Sequence, residues 1–484
     1  MNNKIYYIII GLVISVMLIS PFSTYAAVRY GEDEAVLLQE GEFNIPEYAE
    51  SKQFSSNRNS SAEDYVYSQL LTYATNPSGA QFSINISSYN IHYSDIVAFY
   101  SNVINDHPDL FFVSSSIEYN YYPGSGYVAN IFPEFSMSSN EVASAWEEFS
   151  SCTQKALSCV DSSMNDLQKA VVLHDYVCSH AHYPNVDLDT DDKGIYHSAY
   201  GFCYDGEIVC AGYTLIYSYL LNSCGVPCEY VASDSMGHAW NKVKIDGSWY
   251  NVDCTWDDHD GNSPISVQGA VTHCHLLKSD SKFNTDECSY HYDSYTYDDC
   301  IADSTLYDTA FWDDVTSCIY VVNGDFYYLD SNFNTAYSSL TKRTLSGAET
   351  VLYSYRVGVN YGYSSYVYDS NNEEHIVSRN DLLARLTYLD NRFYISFGMS
   401  LKSVFPDGSS YNILSLTSYP TGLAVRDDNL IYQFYNSQET VNELDKMQYY
   451  NNYFTTVKGT NYNNYPDINN DGVINAKDYA MIIK

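Results

Sequence analysis

Apolar residues recur at helical spacing in two stretches near the middle of the chain. In the first, Leu167, Ala170, Val171, His174, Val177 and Cys178 fall on one face, and Ser163 with Asp166 supplies a capping signature at its start. His174 therefore lies on the apolar face and reads as a satisfied core histidine rather than a catalytic one. In the second, Tyr213, Ile216, Tyr217, Leu220, Leu221 and Cys224 follow Val209, with Gly225 closing the helix and Pro227 beyond it. Cys210 then sits in the first helical turn. There the free amide groups and the helix dipole favour a thiolate, the form of cysteine that attacks carbonyls.

Strand-like patterns follow at once. A short run over Glu229 to Ala232 precedes His238 to Ile245, then Asp246-Gly247, then Ser248 to Thr255. Asp-Gly between two such runs predicts a hairpin. A two-residue turn pairs Ile245 with Ser248, hence Trp240 with Asp253 and His238 with Thr255. His238 and Asp253 become diagonal neighbours on one face, roughly 7 to 8 Å apart, within reach of a carboxylate for an imidazole N–H. A three-residue turn would put Asp253 on the opposite face. Trp240, Trp249 and Trp256 are expected to pack around the site, and Cys254 to point away from it.

Outside this centre the pattern is looser. Residues 62–162 mix a helical stretch at Glu141 to Phe149 with short strands at Leu110 to Val113 and Ser116 to Tyr122, predicting an accessory α/β unit. Residues 301–440 are a series of short β runs. Three share a turn followed by an aromatic or apolar residue and Tyr, at Asn323 to Tyr327, Asp390 to Tyr394 and Asp428 to Tyr432. The spacing is irregular, so a β-rich domain is expected and propeller-like repeats stay open. Residues 27–61 read as a mobile leader and 441–465 as a linker.

The first 26 residues change the picture of where the protein works. Lys4, an apolar run from Ile5 to Ile19, and small residues Thr24 and Ala26 about Tyr25 read as a secretory signal peptide. No later stretch reaches the ~18 apolar residues of a spanning helix, so no membrane anchor is expected after cleavage. The chain of 484 residues has a formal net charge of −37, which repels polyanions and argues against nucleic acid as a partner. Twelve cysteines in an exported chain favour disulfides. If Cys210 stays free, the odd remainder leaves a further unpaired thiol or an intermolecular bond.

Cys210 at a helix start, His238 opening a strand and Asp253 on its partner fill the three roles of a thiol acyl-transfer site: nucleophile, general base and acid, and orienting carboxylate. The segments that carry them, Ala199-Tyr200-Gly201, Val209 to Tyr213, Gly237-His238-Ala239-Trp240-Asn241 and Trp249 to Asp258, resemble the bacterial transglutaminase-like superfamily, whose core is related to papain-type peptidases. The resemblance spans about Met164 to His291 and implies catalytic roles for Cys210, His238 and Asp253. It also implies an α+β fold, a helix packed on an antiparallel sheet, over residues 163–300. Upstream, Asp106 to Phe112 is similar to the accessory region of such proteins. His273 and His275 flank Cys274, but too few further ligands stand nearby to predict a metal, and no cofactor is expected for catalysis. The many tyrosines could stack on sugars, although their even spread suits β surfaces.

At the C-terminus, Asp467, Asn469, Asp471, Asn475 and Asp478 take positions 1, 3, 5, 9 and 12 of an EF-hand-like loop, with Gly472 at the turn. This predicts a structural calcium. Residues 466–484 resemble one repeat of a type I dockerin, in which Val473 adds its backbone carbonyl and a cohesin-bearing scaffold protein is the partner. A dockerin has two such repeats. The expectation is therefore a secreted cysteine-dependent acyl transferase or peptidase acting on protein or peptide amide bonds, attached to a scaffold. The alternatives are a non-catalytic protein- or glycan-binding component of a cellulosome-type complex, or an accessory of polysaccharide degradation; no acidic pair for glycoside chemistry is readable.

Overall fold

The two helices expected from periodicity form the centre of the fold, as α4 (Asp166–His180) and α6 (Cys210–Ser223). The computed structural model describes residues 60–75, 82–184, 194–258, 271–288, 290–292, 294, 300–332, 337–356, 385–397 and 400–415, with short strands at 26–28, 365–368, 374–377, 420–426, 429–434 and 454–456. The cap of α4 differs from expectation. Asn165 and Gln168 make the reciprocal capping box, while the Ser163 amide and hydroxyl bond to Asp161. The nearer carboxylate wins Ser163, and the helix starts later. At the far end of α6, Gly225 has φ +83°; its N–H donates to the Asn222 carbonyl and that of Val226 to Leu221. This paired closure needs a left-handed residue, hence glycine.

Preceding the centre are β1 (Ala26–Val28), α1 (Ser60–Leu71), β2 (Ile84–Asn85), α2 (Ile96–Asp106), β3 (Val113–Tyr121), β4 (Val128–Phe135) and α3 (Ser139–Leu157). Their sheet runs β1-β3-β4-β2, with β1 parallel to β3 and the other pairs antiparallel. The disulfide Cys152–Cys203 ties α3 to α5 (Ala199–Tyr204). One hydrophobic cluster extends from Ala62 on α1 to Tyr328, so the N-terminal unit and the centre share a core.

The central sheet runs β5-β6-β7-β8, all antiparallel: β5 (Cys228–Ser233), β6 (His238–Ile245), β7 (Ser248–Val252) and β8 (Leu276–Lys278). α6 packs against it and is buried on nearly every side, as a helix without a polar face requires. In the β6–β7 turn Asp246 and Gly247 both have positive φ (+50° and +87°), and Ile245 pairs with Ser248. The ladder ends at Asn241–Val252, so the expected Trp240–Asp253 and His238–Thr255 pairs are not formed. Asp253 leaves the strand as the N-cap of α7 (Cys254–Asp257), with Oδ1 accepting the Thr255 and Trp256 amides. As an N-cap, Asp253 turns the chain out of the strand, and its backbone N–H donates to the His275 carbonyl instead of pairing with β6.

After α8 (Asp280–Phe283) the chain turns to β structure. β9 (Tyr320–Val322), β10 (Asp325–Asn332), β11 (Tyr337–Arg343) and β12 (Glu349–Arg356) form one meander; β13 (Ser365–Tyr368) pairs with β14 (Glu374–Val377). A second meander comprises β15 (Arg385–Leu389), β16 (Arg392–Phe397), β17 (Ser400–Val404) and β18 (Ser410–Ser415). β19 (Pro420–Arg426), β20 (Asn429–Phe434) and β21 (Phe454–Thr456) follow. Two of the repeated motifs are tight turns with positive φ, at Asn323-Gly324 and Asp390-Asn391, and they place Tyr327 on Phe393 in a shared second core. Among the described residues there is no closed barrel, and no helix is long and apolar enough to cross a membrane. The calcium-loop residues Asp467 to Asp478 lie outside the described residues.

Candidate active site

Cys210 is the first residue of α6, behind the N-cap Val209, and is buried. His238 opens β6, beside which α6 packs, and its ring stands close enough to the Cys210 thiol for the two to interact. His238 Nε2 donates to Asp253 Oδ2 at 2.7 Å, which leaves Nδ1 for the sulfur. All three expected site residues are thus brought together, although Asp253 arrives from a helix cap rather than from a strand.

The electrostatics follow from this contact. Burial by itself pushes the His238 pKa down, but the Asp253 charge and hydrogen bond outweigh it, Cys210 adds to them, and the ring is raised to about 10. Asp253 is fully buried, which acts upward; His238 first and then His291 overcome this and hold the carboxyl well below the usual carboxylate range. The pair is therefore carboxylate and imidazolium at neutral pH.

Aromatic rings enclose this pair. Trp256 stacks on His238 at 4.9 Å and Trp240 at 5.9 Å between ring centroids, whereas Trp249 packs apart from them with Cys300 and Ala302. The Trp240 indole N–H is satisfied by Asn251, so Trp240 offers the site its apolar body. Tyr183 stands near Cys210; burial, then the thiol, pushes its phenol up to about 12. Its position on an irregular segment gave no periodic signal. In the sequence His291 is only the limit of the family resemblance, yet its Nε2 lies 2.9 Å from Asp253 Oδ2.

Beneath the site lies a ladder of alternating histidines and aspartates. His273 Nε2 meets Asp175 at 3.0 Å, His174 Nδ1 meets the same carboxylate at 2.8 Å, His174 Nε2 meets Asp257 at 3.2 Å, and Asp257 meets His275 Nδ1 at 2.9 Å. His174 is fully buried with both nitrogens engaged, as a core histidine. Burial opposes its charge, but Cys178, Asp175 and Asp257 raise its pKa well above the ordinary value. The donor groups His174, Asp175 and His273, and Asp257, Cys274 and His275, contain metal-ligand residue types. Their atoms are already one another's hydrogen-bond partners. His273 and His275 go to different carboxylates, so they do not converge on one point.

Comparison with known proteins gives two family matches: the Transglutaminase-like superfamily over residues 153–254 and the Dockerin type I domain over residues 435–484. The first contains Cys210, His238 and Asp253; the second begins upstream of the stretch read as a linker. The comparison with curated proteins gave no match. A solved structure described as a TGase is similar at 12% identity and a TM-score of 0.21, covering 42% of this chain and 58% of its own. A Mycobacterium smegmatis N-arylamine acetyltransferase variant is similar at 11% identity and a TM-score of 0.17, covering 54% of this chain and 84% of its own. The chain thus carries a transglutaminase-like domain and, further along the sequence, a type I dockerin domain.

Proposed function

We propose that this chain is a secreted cysteine-dependent acyl transferase or peptidase that acts on protein or peptide amide bonds and is held on a cohesin-bearing scaffold by its dockerin domain. The observation that carries the reading is the linked contact of Cys210, His238 and Asp253 at the start of a buried helix. Cys210 Sγ, as thiolate, adds to the amide carbonyl carbon; the carbonyl oxygen takes up negative charge near the first turn of α6, where helix amides favour it. His238, already protonated, gives its Nδ1 proton to the leaving nitrogen as the C–N bond breaks, and a thioester remains on Cys210. Water or an amine then attacks that thioester, His238 takes the incoming proton, and the C–S bond breaks to restore the thiolate. Asp253 holds the ring orientation and steadies its charge throughout.

The scaffold part rests on the dockerin match and on the ligand spacing Asp467, Asn469, Asp471, Val473, Asn475 and Asp478, which suits one calcium ion. Two experiments test the reading. Iodoacetamide labelling of native protein, mapped by peptide, should find Cys210 the dominant reactive thiol; equal labelling of several cysteines would sink the enzyme reading. Capture of the full chain on immobilised cohesin should require calcium, and capture that survives chelation would sink the scaffold reading.

A further inference from the structure

Asp253 Oδ2 is shared between two imidazoles. His238 Nε2 lies 2.7 Å from it and His291 Nε2 2.9 Å, while Oδ1 accepts the Thr255 and Trp256 amides. The other nitrogen of His291, Nδ1, lies 2.8 Å from the Cys288 carbonyl oxygen. Carbonyl and carboxylate oxygens only accept. The Asp253 contact is a hydrogen bond only when His291 donates from Nε2. The rings of Phe283, Trp256 and Trp240 enclose it, 4.2, 4.3 and 4.8 Å away, centroid to centroid. The titratable groups about it are Asp253 at the β7–α7 junction, His238 on β6, His275 just before β8, and the Cys288 thiol on its own segment, with Asp257 behind His275.

The geometry points to His291 as a positioning residue that shares the Asp253 carboxylate with His238 and so loosens the carboxylate's hold on the His238 proton; this rests on the acyl-transfer reading above. His238 must give up its proton to the leaving nitrogen in each cycle. A carboxylate spending its whole charge on His238 would hold that proton too tightly. A second donor on the same oxygen takes part of that charge, and it does so without touching the reacting atoms.

The test uses the full chain with isotope-labelled histidine. His291→Phe keeps a ring among the aromatics and removes the donor; His291→Gln restores one. Ring chemical shifts of His238 followed by NMR should show its alkaline midpoint rising by about one pH unit in His291→Phe, the scale of losing one buried charge-assisted contact. His291→Gln should fall between that variant and the native protein. A midpoint that stays put or moves down in the folded Phe variant overturns the inference. Where that variant does not fold, the native spectrum decides: His291 Nε2 should carry a hydrogen directed at Asp253, and an Nε2 without one overturns the inference. Cys210 labelling in the native protein is read separately, so an inert Cys210 refutes the acyl-transfer reading while the His238 midpoint still judges His291.

Discussion

Replacing Asp253 by Asn changes one atom and should disable the site. Oδ1 accepts two backbone amides, from Thr255 and Trp256, so the Asn oxygen is held in that position and its NH2 takes the place of Oδ2. There it faces His238 Nε2 and His291 Nε2 as a donor where an acceptor stood. His238 can answer only by losing its Nε2 hydrogen. A neutral ring then carries hydrogen on Nδ1, the nitrogen that must accept the proton of the incoming water or amine. The rise of the His238 pKa from 6.5 to about 10 caps the loss. At ~1.4 kcal/mol per unit it is on the order of 5 kcal/mol in favour of the imidazolium. Most of this should vanish, bringing the His238 midpoint down by about two units or more, and turnover should fall by roughly 10³ to 10⁴ as for a wrong tautomer. The sign for stability follows. The raised His238 stabilises the fold fully below its ordinary value near 6.5 and ceases to do so as pH rises through about 10. The depressed Asp253 contributes above its ordinary value, near 4, and its contribution is lost as pH falls below that. Imidazole NMR, iodoacetamide rates at Cys210 and urea unfolding read these effects in one variant. A folded Asp253→Asn protein whose His238 midpoint and Cys210 labelling match the native protein would refute the reasoning.

Further outcomes follow from packing. In Gly212→Ala the new methyl lies 2.7 Å from Ile208 Cβ and 2.9 Å from the Tyr196 carbonyl oxygen. Overpacking should cost ~1–3 kcal/mol in urea unfolding, outweighing the better helix propensity, and Cys210 labelling should slow because the helix start is displaced. Asp257→Ala takes the carboxylate from His275 Nδ1 and leaves His174 with Asp175 alone, and should cost ~3–5 kcal/mol; a melt unchanged from native would contradict the ladder. Reducing Cys152–Cys203, whose partners are 51 residues apart, should lower stability by about 4 kcal/mol on the loop-entropy estimate, measured by unfolding with and without reductant.

Elements set by local rules were legible in the sequence; those that answer to distant partners were less so. The start of α6 and its closure at Gly225 follow from neighbouring residues, and so does the β6–β7 turn, because Asp246 and Gly247 tolerate the left-handed region. The α4 cap lies at Asn165 and not at the expected Ser163, because Asp161 engages the Ser163 amide and hydroxyl. The site survived a register error. The ladder pairs drawn for Trp240 and His238 do not form, yet the Asp253 carboxylate still reaches His238, since a helix cap can present it there as well as a strand can.

What the sequence hid is the way charge is neutralised inside the core. Periodicity marks His174 as inward-facing but cannot say that Asp175, its chain neighbour on the same helix, turns inward too, to meet His273 and the Ile319 amide. His273 in turn reaches the Val315 carbonyl, so the segment leading into β9 is fastened to the layer beneath the site. The same layer reaches the site from the other side, because Asp257 belongs to α7, the helix that Asp253 caps. Two buried carboxylates each flanked by imidazoles form a set that loses much when one member is removed, since the remainder are charges without partners. A substitution in the segment before β9 that lets water reach Asp175 would therefore disturb the layer that also seats α7, and with it the Asp253 carboxylate, across a distance that no local pattern of apolar and polar residues records.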